Sequence, residues 1–241
     1  ITCRDWSSDV CSSDLIIDKN VINGILQKKD IKVVDVGGCL NFALLFLSIY
    51  HKYINLYTLI IYNKDDFEQA KELSKNSDFF KKIEIINGDA TNLPEIIGND
   101  YNIVFLIDVL EHIKDDKKVI ENIKKIMNLK GYLFISVPTY DYKKYFGEEF
   151  HNQIGHIRDG YLEKDLEILC KDFTKIKSFY YTNMYNSLLM SIIYKYLFHN
   201  KSISKFIYIL TFPWMKYLIY YTETIKTKKN SSLIYICRNE I

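Results

Sequence analysis

The stretch YNIVFLIDVLEHIKDDKKVIENIKKIMNLKGYLFISVP, residues 101–138, contains the pattern that decides the fold. Its apolar run Ile103–Ile107 predicts a buried strand bounded by polar residues. Asp115 is placed to N-cap a helix whose apolar residues recur at helical spacing. A second apolar run, Leu133–Val137, predicts the next strand, and Gly131 is expected to supply the left-handed cap of the helix. Strand, helix and strand of this length predict one right-handed βαβ unit.

Three polar side chains follow the first of these strands and lie where a ligand is expected. Asp108, Glu111 and His112 come directly after the carboxyl end of that strand. Open α/β sheets bind their ligands in the crevice outside the carboxyl ends of the parallel strands. The sequence therefore predicts a functional site at this edge of the sheet.

The run DVLEHI at residues 108–113, then an amphipathic helix, then LKGYLFISVP at residues 129–138, resembles the second half of the class I methyltransferases that use S-adenosylmethionine. Members of that family typically carry an EVLEH turn and, before the next strand, an LKPGG turn. The corresponding MNLKG at residues 127–131 keeps only the last glycine. The resemblance covers residues 30–182.

Apolar strands alternate with amphipathic helices from residue 16 to residue 182, which is typical of the α/β class. Together with the resemblance, this alternation predicts a doubly wound, mostly parallel seven-stranded sheet of the Rossmann-like methyltransferase fold. The last strand, Ser231–Cys237, is expected to be antiparallel and to pair beside the strand Thr174–Thr182. A helical insertion, residues 184–224, is expected between these two strands.

The resemblance implies a cofactor site whose first motif is an acidic residue followed by G-x-G-x-G. Asp35 and Gly37 match that motif, whereas Cys39 and Asn41 stand where the second and third glycines are expected. Glycine is favoured there because the backbone must approach the cofactor closely and can need a positive φ. Gly38 offers an alternative tight position one residue earlier.

The resemblance also implies how the nucleoside is bound. NGDATNLP, residues 87–94, is similar to the family loop in which an aspartate accepts from the adenine amino group and the next backbone N–H meets a ring nitrogen. The acid that holds the ribose in the family falls at Ile61, which leaves Asn63 as the candidate acceptor for a ribose hydroxyl, with Asp65 or Asp66 as alternatives. The implied S-adenosylmethionine site contains Asp35, Gly37, Gly38, Asn63, Asp89, Ala90 and Asp108.

Two histidines are candidates for the acceptor chemistry. Methyl transfer to a hydroxyl needs a base, and His112 and His156 are predicted in that catalytic role because histidine titrates near neutral pH. GHIRDGYLEKDLEIL, residues 155–169, resembles the family segment in which a histidine-containing loop precedes a helix that closes over the substrate.

A metal site is the alternative interpretation of the same residues. Some related methyltransferases, including ubiquinone-pathway O-methyltransferases and small-RNA 2′-O-methyltransferases, hold a divalent ion with a similar E-x-x-E-H run and a downstream histidine. By that resemblance the ligands here are Asp108, Glu111, His112 and His156, which suit Mg²⁺ or Mn²⁺. Many relatives share the turn without a metal, and Glu111 and His112 then cap or brace the following helix.

Net charge and cysteine spacing give no support for nucleic-acid binding or for a framework of disulfides. The chain has 32 basic and 30 acidic residues, a net charge of +2, which gives no electrostatic argument for nucleic acid as a partner. Cys39, Cys170 and Cys237 show neither disulfide nor metal spacing, as is typical of a reducing compartment. The cysteine use therefore predicts a cytoplasmic protein, and the resemblance implies an enzyme with a small-molecule or lipid-linked acceptor.

Residues 1–15 are expected to lie outside the fold. Within them, DWSSDVCSSDL at residues 5–15 looks like a translated sequencing-adapter read joined to the reading frame, so we exclude it from the fold prediction. The true N-terminus would then be missing. Residues 16–241 are long enough for one sizeable α/β domain, not comfortably for two.

Residues 184–224 are apolar and aromatic, but lysines and Pro213 interrupt them. No uncharged run reaches the ~18–20 residues that a transmembrane helix needs. Two interpretations stay open: helices that form a lid over the acceptor, or an interfacial surface that contacts a membrane peripherally. The second would make the cytoplasmic protein membrane-associated.

Two functions remain. The first is an active S-adenosylmethionine-dependent methyltransferase that acts on a hydroxyl of a small or lipid-linked compound, favoured by DVLEHI and by Asp89 with Ala90. The second is a methyltransferase-like binding protein that no longer catalyses, favoured by the departures at Cys39, Asn41 and Ile61. A nicotinamide dehydrogenase is a distant third because its G-x-G-x-x-G fingerprint is missing.

Overall fold

The chain is built on one seven-stranded sheet. The computed structural model describes residues 19–25, 30–185, 187, 188 and 230–240. The strands are β1 (Ile31–Val36), β2 (Ile54–Ile61), β3 (Ile83–Asn87), β4 (Tyr101–Ile107), β5 (Met127–Pro138), β6 (Thr174–Asn183) and β7 (Asn230–Arg238).

The strand order across the sheet is β3-β2-β1-β4-β5-β7-β6. The first five strands pair in parallel, and β7 lies between β5 and β6 and runs antiparallel to both. The predicted α/β class, the mostly parallel seven-stranded sheet and the antiparallel last strand are thereby confirmed.

Helices cover both faces of this sheet. They are α1 (Lys19–Ile25), α2 (Leu40–Tyr50), α3 (Lys64–Ser74), α4 (Leu93–Ile96), α5 (Asp116–Ile126), α6 (Tyr142–Phe146), α7 (Glu148–Gln153) and α8 (Glu163–Leu169). Successive strand residues point to opposite faces. In β1, Ile31 and Val33 accordingly join the core cluster that contains α1, α2 and α3, whereas Val34 and Val36 join the cluster that contains α5 and α8.

The junction between α5 and β5 differs from the sequence prediction. Asp115 caps α5 with its side chain as predicted, but the helix ends at Ile126 and Met127 is already extended. Gly131 is therefore not the helix cap and lies inside β5. A Cβ at Gly131 would stand 3.0 Å from the carbonyl oxygen of Tyr101 on β4. The glycine is used for close approach of two strands, so the predicted cap is wrong.

The stretch after β5, predicted to be irregular over Thr139–Gly160, contains the short helices α6 and α7. Apart from residues 184, 185, 187 and 188, the proposed insertion 184–224 lies outside the described residues, and so does the segment 1–15. Among the residues that the structure does describe, no helix is long and apolar enough to cross a membrane.

Candidate active site

The turn after β1 holds the first group of predicted cofactor residues. Asp35 is fully buried there, and the hydroxyl of Tyr57 on β2 donates a hydrogen bond to its Oδ2 at 3.1 Å. Burial raises the pKa of Asp35 well above its usual range. Gly37 has a φ of +74°, and a Cβ at Gly38 would lie 2.0 Å from the Asp35 carboxyl. Both glycines are therefore required by the backbone itself.

The two missing glycines of the motif are not needed in this turn. Cys39 has an extended backbone, with φ −123° and ψ 152°, which any residue adopts. Asn41 lies inside α2, where a side chain is accommodated without strain. The departures at these two positions therefore leave the tight turn at Gly37 and Gly38 intact.

The ends of β2 and β3 carry the predicted nucleoside contacts. The Oδ1 atom of Asn63 accepts from the backbone N–H groups of Asp65 and Asp66 at 2.9 and 3.1 Å, so it caps α3. A ribose hydroxyl at Asn63 would consequently meet the amide nitrogen rather than the oxygen. Ile61 is buried, whereas Tyr62 directly after it is 75% exposed. Sequence reasoning did not single out this exposed ring at the strand end.

The loop after β3 positions Asp89. Its Oδ1 accepts hydrogen bonds from the backbone N–H and the hydroxyl of Thr91, both at 2.8 Å, and so caps the short 3₁₀ turn that begins at the buried Ala90. This use of one carboxylate oxygen holds the side chain in a single orientation. The second oxygen can then face an adenine amino group.

Asp108, at the end of β4, has a left-handed backbone with a φ of +53°. Such a conformation is uncommon for a residue other than glycine and concentrates at functional sites. The hydroxyl of Ser136 on β5 donates to Asp108 Oδ1 at 2.9 Å and lies 2.8 Å from the hydroxyl of Tyr181 on β6. Three strands therefore fix the Asp108 carboxyl, whose pKa is raised by desolvation.

Glu111, His112 and His156 converge next to this strand end, and we call them the acceptor-side cluster. Their ligand atoms all lie within 4.8 Å of one another. Glu111 Oε1 is 3.9 Å from His112 Nε2 and 3.8 Å from His156 Nε2. The side chains of Glu111 and His156 are each only 1% exposed. The fold thus brings His156 next to Glu111 and His112, which lie more than forty positions earlier in the chain.

Several polar atoms of the acceptor-side cluster are buried without a hydrogen-bond partner in the described part of the chain: Glu111 Oε2 and both ring nitrogens of His156. His112 Nδ1 lies 3.2 Å from the carbonyl oxygen of Gly155, so Nδ1 carries the proton and the lone pair of Nε2 faces Glu111. Buried polar groups are normally paired, so these atoms are those expected to meet a ligand.

Comparison with known proteins identifies the family. The family described as "Methyltransferase domain" matches residues 27–202 of the chain. The chain belongs to this methyltransferase family. The class I resemblance drawn from DVLEHI and the loop around Asp89 is thereby confirmed. No curated protein matches the sequence of this methyltransferase.

Solved structures show the same fold at low sequence identity. An inferred sarcosine dimethylglycine methyltransferase from Galdieria sulphuraria is 15% identical, with a TM-score of 0.67 over 95% of this chain and 84% of that one. The N-methyltransferase NodS from Bradyrhizobium japonicum, in complex with S-adenosylhomocysteine, is 12% identical with a TM-score of 0.53 over 93% and 88%. Haemonchus contortus phosphoethanolamine N-methyltransferase 2, bound to S-adenosylmethionine, is 16% identical with a TM-score of 0.60 over 89% and 50%.

The protonation states of the methyltransferase's acceptor-side cluster follow from burial. Burial and the nearby Asp108 raise the pKa of Glu111 well above its usual range. Burial, together with the neighbouring His112 and His151, lowers the pKa of His156 to about 3. Burial also lowers the pKa of His112. Both imidazoles are therefore neutral at neutral pH and offer lone pairs.

The acceptor-side cluster fits a divalent cation, but not the predicted ligand set. In the described residues the converging group consists of Glu111, His112 and His156, and the Asp108 carboxyl is hydrogen-bonded to Ser136 instead. One carboxylate and two neutral imidazoles suit Zn²⁺ and similar transition metals better than Mg²⁺, which prefers oxygen ligands. The Mg²⁺ or Mn²⁺ predicted from the sequence is therefore a poorer match to this donor set.

Sequence reasoning did not select His151, the third histidine of this region. Its buried ring contacts His156 edge-on at a centroid distance of 5.0 Å, and its Nε2 lies 3.3 Å from Asp159 Oδ1. The signal available in the sequence was the presence of two histidines, His151 and His156, within the stretch Thr139–Gly160 that was predicted to be irregular. His151 therefore contacts the acceptor-side cluster through the ring of His156.

Proposed function

We propose that this methyltransferase transfers the methyl group of S-adenosylmethionine to a hydroxyl group of a small or lipid-linked acceptor. The observation that carries the proposal is the acceptor-side cluster: Glu111, His112 and His156 converge, buried and with unpartnered acceptor atoms, directly beside Asp108 of the cofactor cleft. The proposal thus rests on the site and not on the fold, which serves many acceptors.

The donor side of the proposal rests on the turn after β1 and on Asp89. Gly37 and Gly38 keep the backbone tight where the cofactor passes, and Asp89 is held with one carboxylate oxygen directed away from its cap. S-adenosylmethionine and S-adenosylhomocysteine occupy the structures of the Haemonchus contortus and Bradyrhizobium japonicum enzymes. We place the same cofactor across the carboxyl ends of β1 and β4, with the exposed ring of Tyr62 at the ribose end.

Methyl transfer is an in-line displacement, so the acceptor oxygen, the methyl carbon and the sulfonium sulfur must be aligned. A hydroxyl acceptor must lose its proton as the methyl group is transferred, whereas an amine attacks through its lone pair once it is in its neutral form. Neutral imidazoles beside a buried carboxyl are suited to remove or stabilise that proton. This requirement favours a hydroxyl acceptor here, although two of the compared structures are N-methyltransferases.

Two routes for the acceptor proton are compatible with the cluster. In the first, His112 or His156 is the base, and Glu111 stabilises the resulting imidazolium. In the second, Glu111, His112 and His156 hold a divalent ion, which when bound would lower the pKa of the acceptor hydroxyl. The low pKa of His156 makes it a weak base and a good ligand, which supports the second route for this residue.

The function is tested by calorimetry followed by a transfer assay. S-adenosylmethionine and S-adenosylhomocysteine are titrated into the full chain, and tritiated S-adenosylmethionine is then supplied with panels of small hydroxy compounds, amines and lipid extracts. Absence of cofactor binding would favour the non-catalytic binding protein, and transfer to amines alone would reject the hydroxyl acceptor. Chelation followed by addition of Zn²⁺ or Mg²⁺ separates the ion route from the imidazole base.

Substitution of Asp89 tests the placement of the adenine. Asp89→Ala is expected to weaken S-adenosylmethionine binding by roughly 1–3 kcal/mol, about 5–150-fold, because a buried hydrogen bond is lost. Asp89→Asn is the informative partner: its side-chain oxygen can still cap Thr91, while its amide would point a donor at the adenine amino group. Calorimetry should show similar losses for both variants. Wild-type affinity in Asp89→Asn would mean that the residue serves only as a cap.

A further inference from the structure

The loop Gly155–Gly160 carries His156 and is fastened to the turn that carries Glu111 and His112. The backbone N–H groups of Ile157 and Arg158 donate to the carbonyl oxygen of Glu111 at 2.9 and 3.3 Å. The carbonyl oxygen of Gly155 accepts from His112. Hydrogen bonds to two main-chain carbonyl oxygens, those of Glu111 and Gly155, therefore join the two halves of the acceptor-side cluster.

The side chain of His156 contributes no hydrogen bond to this arrangement, since neither of its ring nitrogens has a partner in the part of the chain that the structure describes. Its ring is surrounded by the rings of Tyr142, His112 and His151, which give contact area without fixing a direction. The position of His156 relative to Glu111 is consequently set by whatever holds the loop.

A polar clamp lies at the outer side of the same loop. Arg158 Nη2 is 3.1 Å from Asp116 Oδ2, at the start of α5, and 3.1 Å from the carbonyl oxygen of Lys114. The hydroxyl of Tyr161 lies 2.9 Å from the same Asp116 oxygen and 3.1 Å from the carbonyl oxygen of Leu110. The guanidinium of Arg158 also lies over the ring of Tyr161, 5.8 Å from its centroid.

The carboxylate of the clamp, Asp116, is better shielded from water than Asp159, the carboxylate of a neighbouring ion pair. The Asp116 side chain is 14% exposed and that of Arg158 is 40% exposed. Lys143 and Asp159 form another ion pair of the same loop at 3.1 Å, in which the Asp159 side chain is 52% exposed and that of Lys143 is 31% exposed. Charge-assisted hydrogen bonds strengthen as solvent is excluded, whereas exposed pairs contribute little.

We propose that Arg158 is a positioning residue: by binding Asp116 and the Lys114 carbonyl, it holds the loop Gly155–Gly160 against the Glu111 turn and so keeps His156 within reach of Glu111. Its effect on methyl transfer rests on the proposed function, whereas its effect on the loop does not. Arg158 touches neither the cofactor residues nor the acceptor-side cluster through its guanidinium, so it acts through His156.

The test compares Arg158→Ala and Arg158→Lys with the matched control Lys143→Ala, which removes the ion pair of the same loop whose carboxylate, Asp159, is exposed. In Arg158→Ala, hydrogen exchange of the peptide spanning residues 155–161 should accelerate about tenfold or more. Carbethoxylation of the buried His156 by diethyl pyrocarbonate should accelerate similarly, while His51 reacts as before. Arg158→Lys keeps the charge but loses the fork geometry, and should restore part of the protection. Lys143→Ala should behave as wild type.

Turnover and cofactor affinity complete the experiment. Arg158→Ala should lower kcat about tenfold or more, with S-adenosylmethionine affinity unchanged, because none of the predicted cofactor residues lies in the loop Gly155–Gly160. Wild-type exchange and wild-type His156 reactivity in Arg158→Ala would overturn the proposal, as would a loss of turnover with His156 still protected. If the wild-type chain transfers no methyl group, the proposed function fails, and the exchange and carbethoxylation results still decide for or against the clamp.

Discussion

Replacing His156 with alanine is expected to lower methyl-transfer turnover by about 10²–10⁴-fold, while the affinity for S-adenosylmethionine stays within about twofold of wild type. The ring is buried, 3.8 Å from Glu111, and belongs to the acceptor-side cluster and not to the cofactor cleft. His156 is a candidate base in the first route for the acceptor proton and a metal ligand in the second. The measurement is steady-state kinetics with tritiated cofactor, together with calorimetry of cofactor binding.

His51→Ala is the matched control for that variant. His51 follows the C-terminal end of α2, where its ring packs on Phe79, and it contacts no residue of the cluster. Equal turnover in His156→Ala and wild type would remove His156 from the chemistry. Metal analysis of the two proteins then separates the routes: loss of a bound ion together with turnover identifies a ligand, and loss of turnover alone identifies a base.

Gly38→Ala is expected to damage both stability and cofactor binding. Its Cβ would stand 2.0 Å from the buried Asp35 carboxyl, which is held by Tyr57 and has no room to retreat freely. Overpacking of this kind costs roughly 1–3 kcal/mol, and the Tm should fall by about 2–4 °C for each kcal/mol in a chain of this size. Displacement of Asp35 should weaken S-adenosylmethionine binding about tenfold.

Gly98→Ala controls for the substitution itself, because a Cβ at Gly98 meets nothing within 4 Å. Thermal unfolding and calorimetry of the two variants should differ clearly. A Gly38→Ala protein with wild-type Tm and cofactor affinity would show that the turn after β1 relaxes easily. A lower Tm with wild-type cofactor affinity would instead place the cofactor elsewhere at the sheet edge.

Elements whose limits follow from local chemistry were predictable. The strand predicted at Ile103–Ile107 is found as β4, Tyr101–Ile107, because its apolar run ends at the polar Asp108. The start of α5 follows from the side chain of Asp115, which accepts from the backbone N–H of Lys118 at 3.1 Å. In both cases the deciding interaction lies within a few residues.

Features that depend on distant partners were not predictable. Gly131 was interpreted as a helix cap because lysines and a glycine follow the helix, but the approach of β4 to β5 requires it. Asp108 was grouped with the metal ligands by its spacing in DVLEHI. A hydrogen bond from Ser136 on a neighbouring strand holds its carboxyl instead. Nothing in the local pattern around either residue reveals these contacts.

The acceptor-side cluster combines features that were predictable from the sequence with one that was not. Glu111 and His112 were selected because they follow a strand, and His156 was selected through the resemblance. The partner that holds the loop, Arg158 with Asp116, was not selected, because an arginine three residues from a loop glycine has no spacing signature. Its role becomes visible only when the 3.1 Å contact is known.

The place of β7 in the sheet has a consequence for the order in which the protein matures on the ribosome. β5 and β6 are both synthesised before the strand that separates them, since β7 begins only at Asn230. Until it emerges, a nascent chain carries open strand edges on β5 and β6, which invite pairing with other chains. Ser136 and Tyr181 lie on those two strands, so the bond between them cannot form in its final setting until β7 has been synthesised. The sheet edge that carries Asp108 and Ser136 is therefore completed only after β7 has emerged.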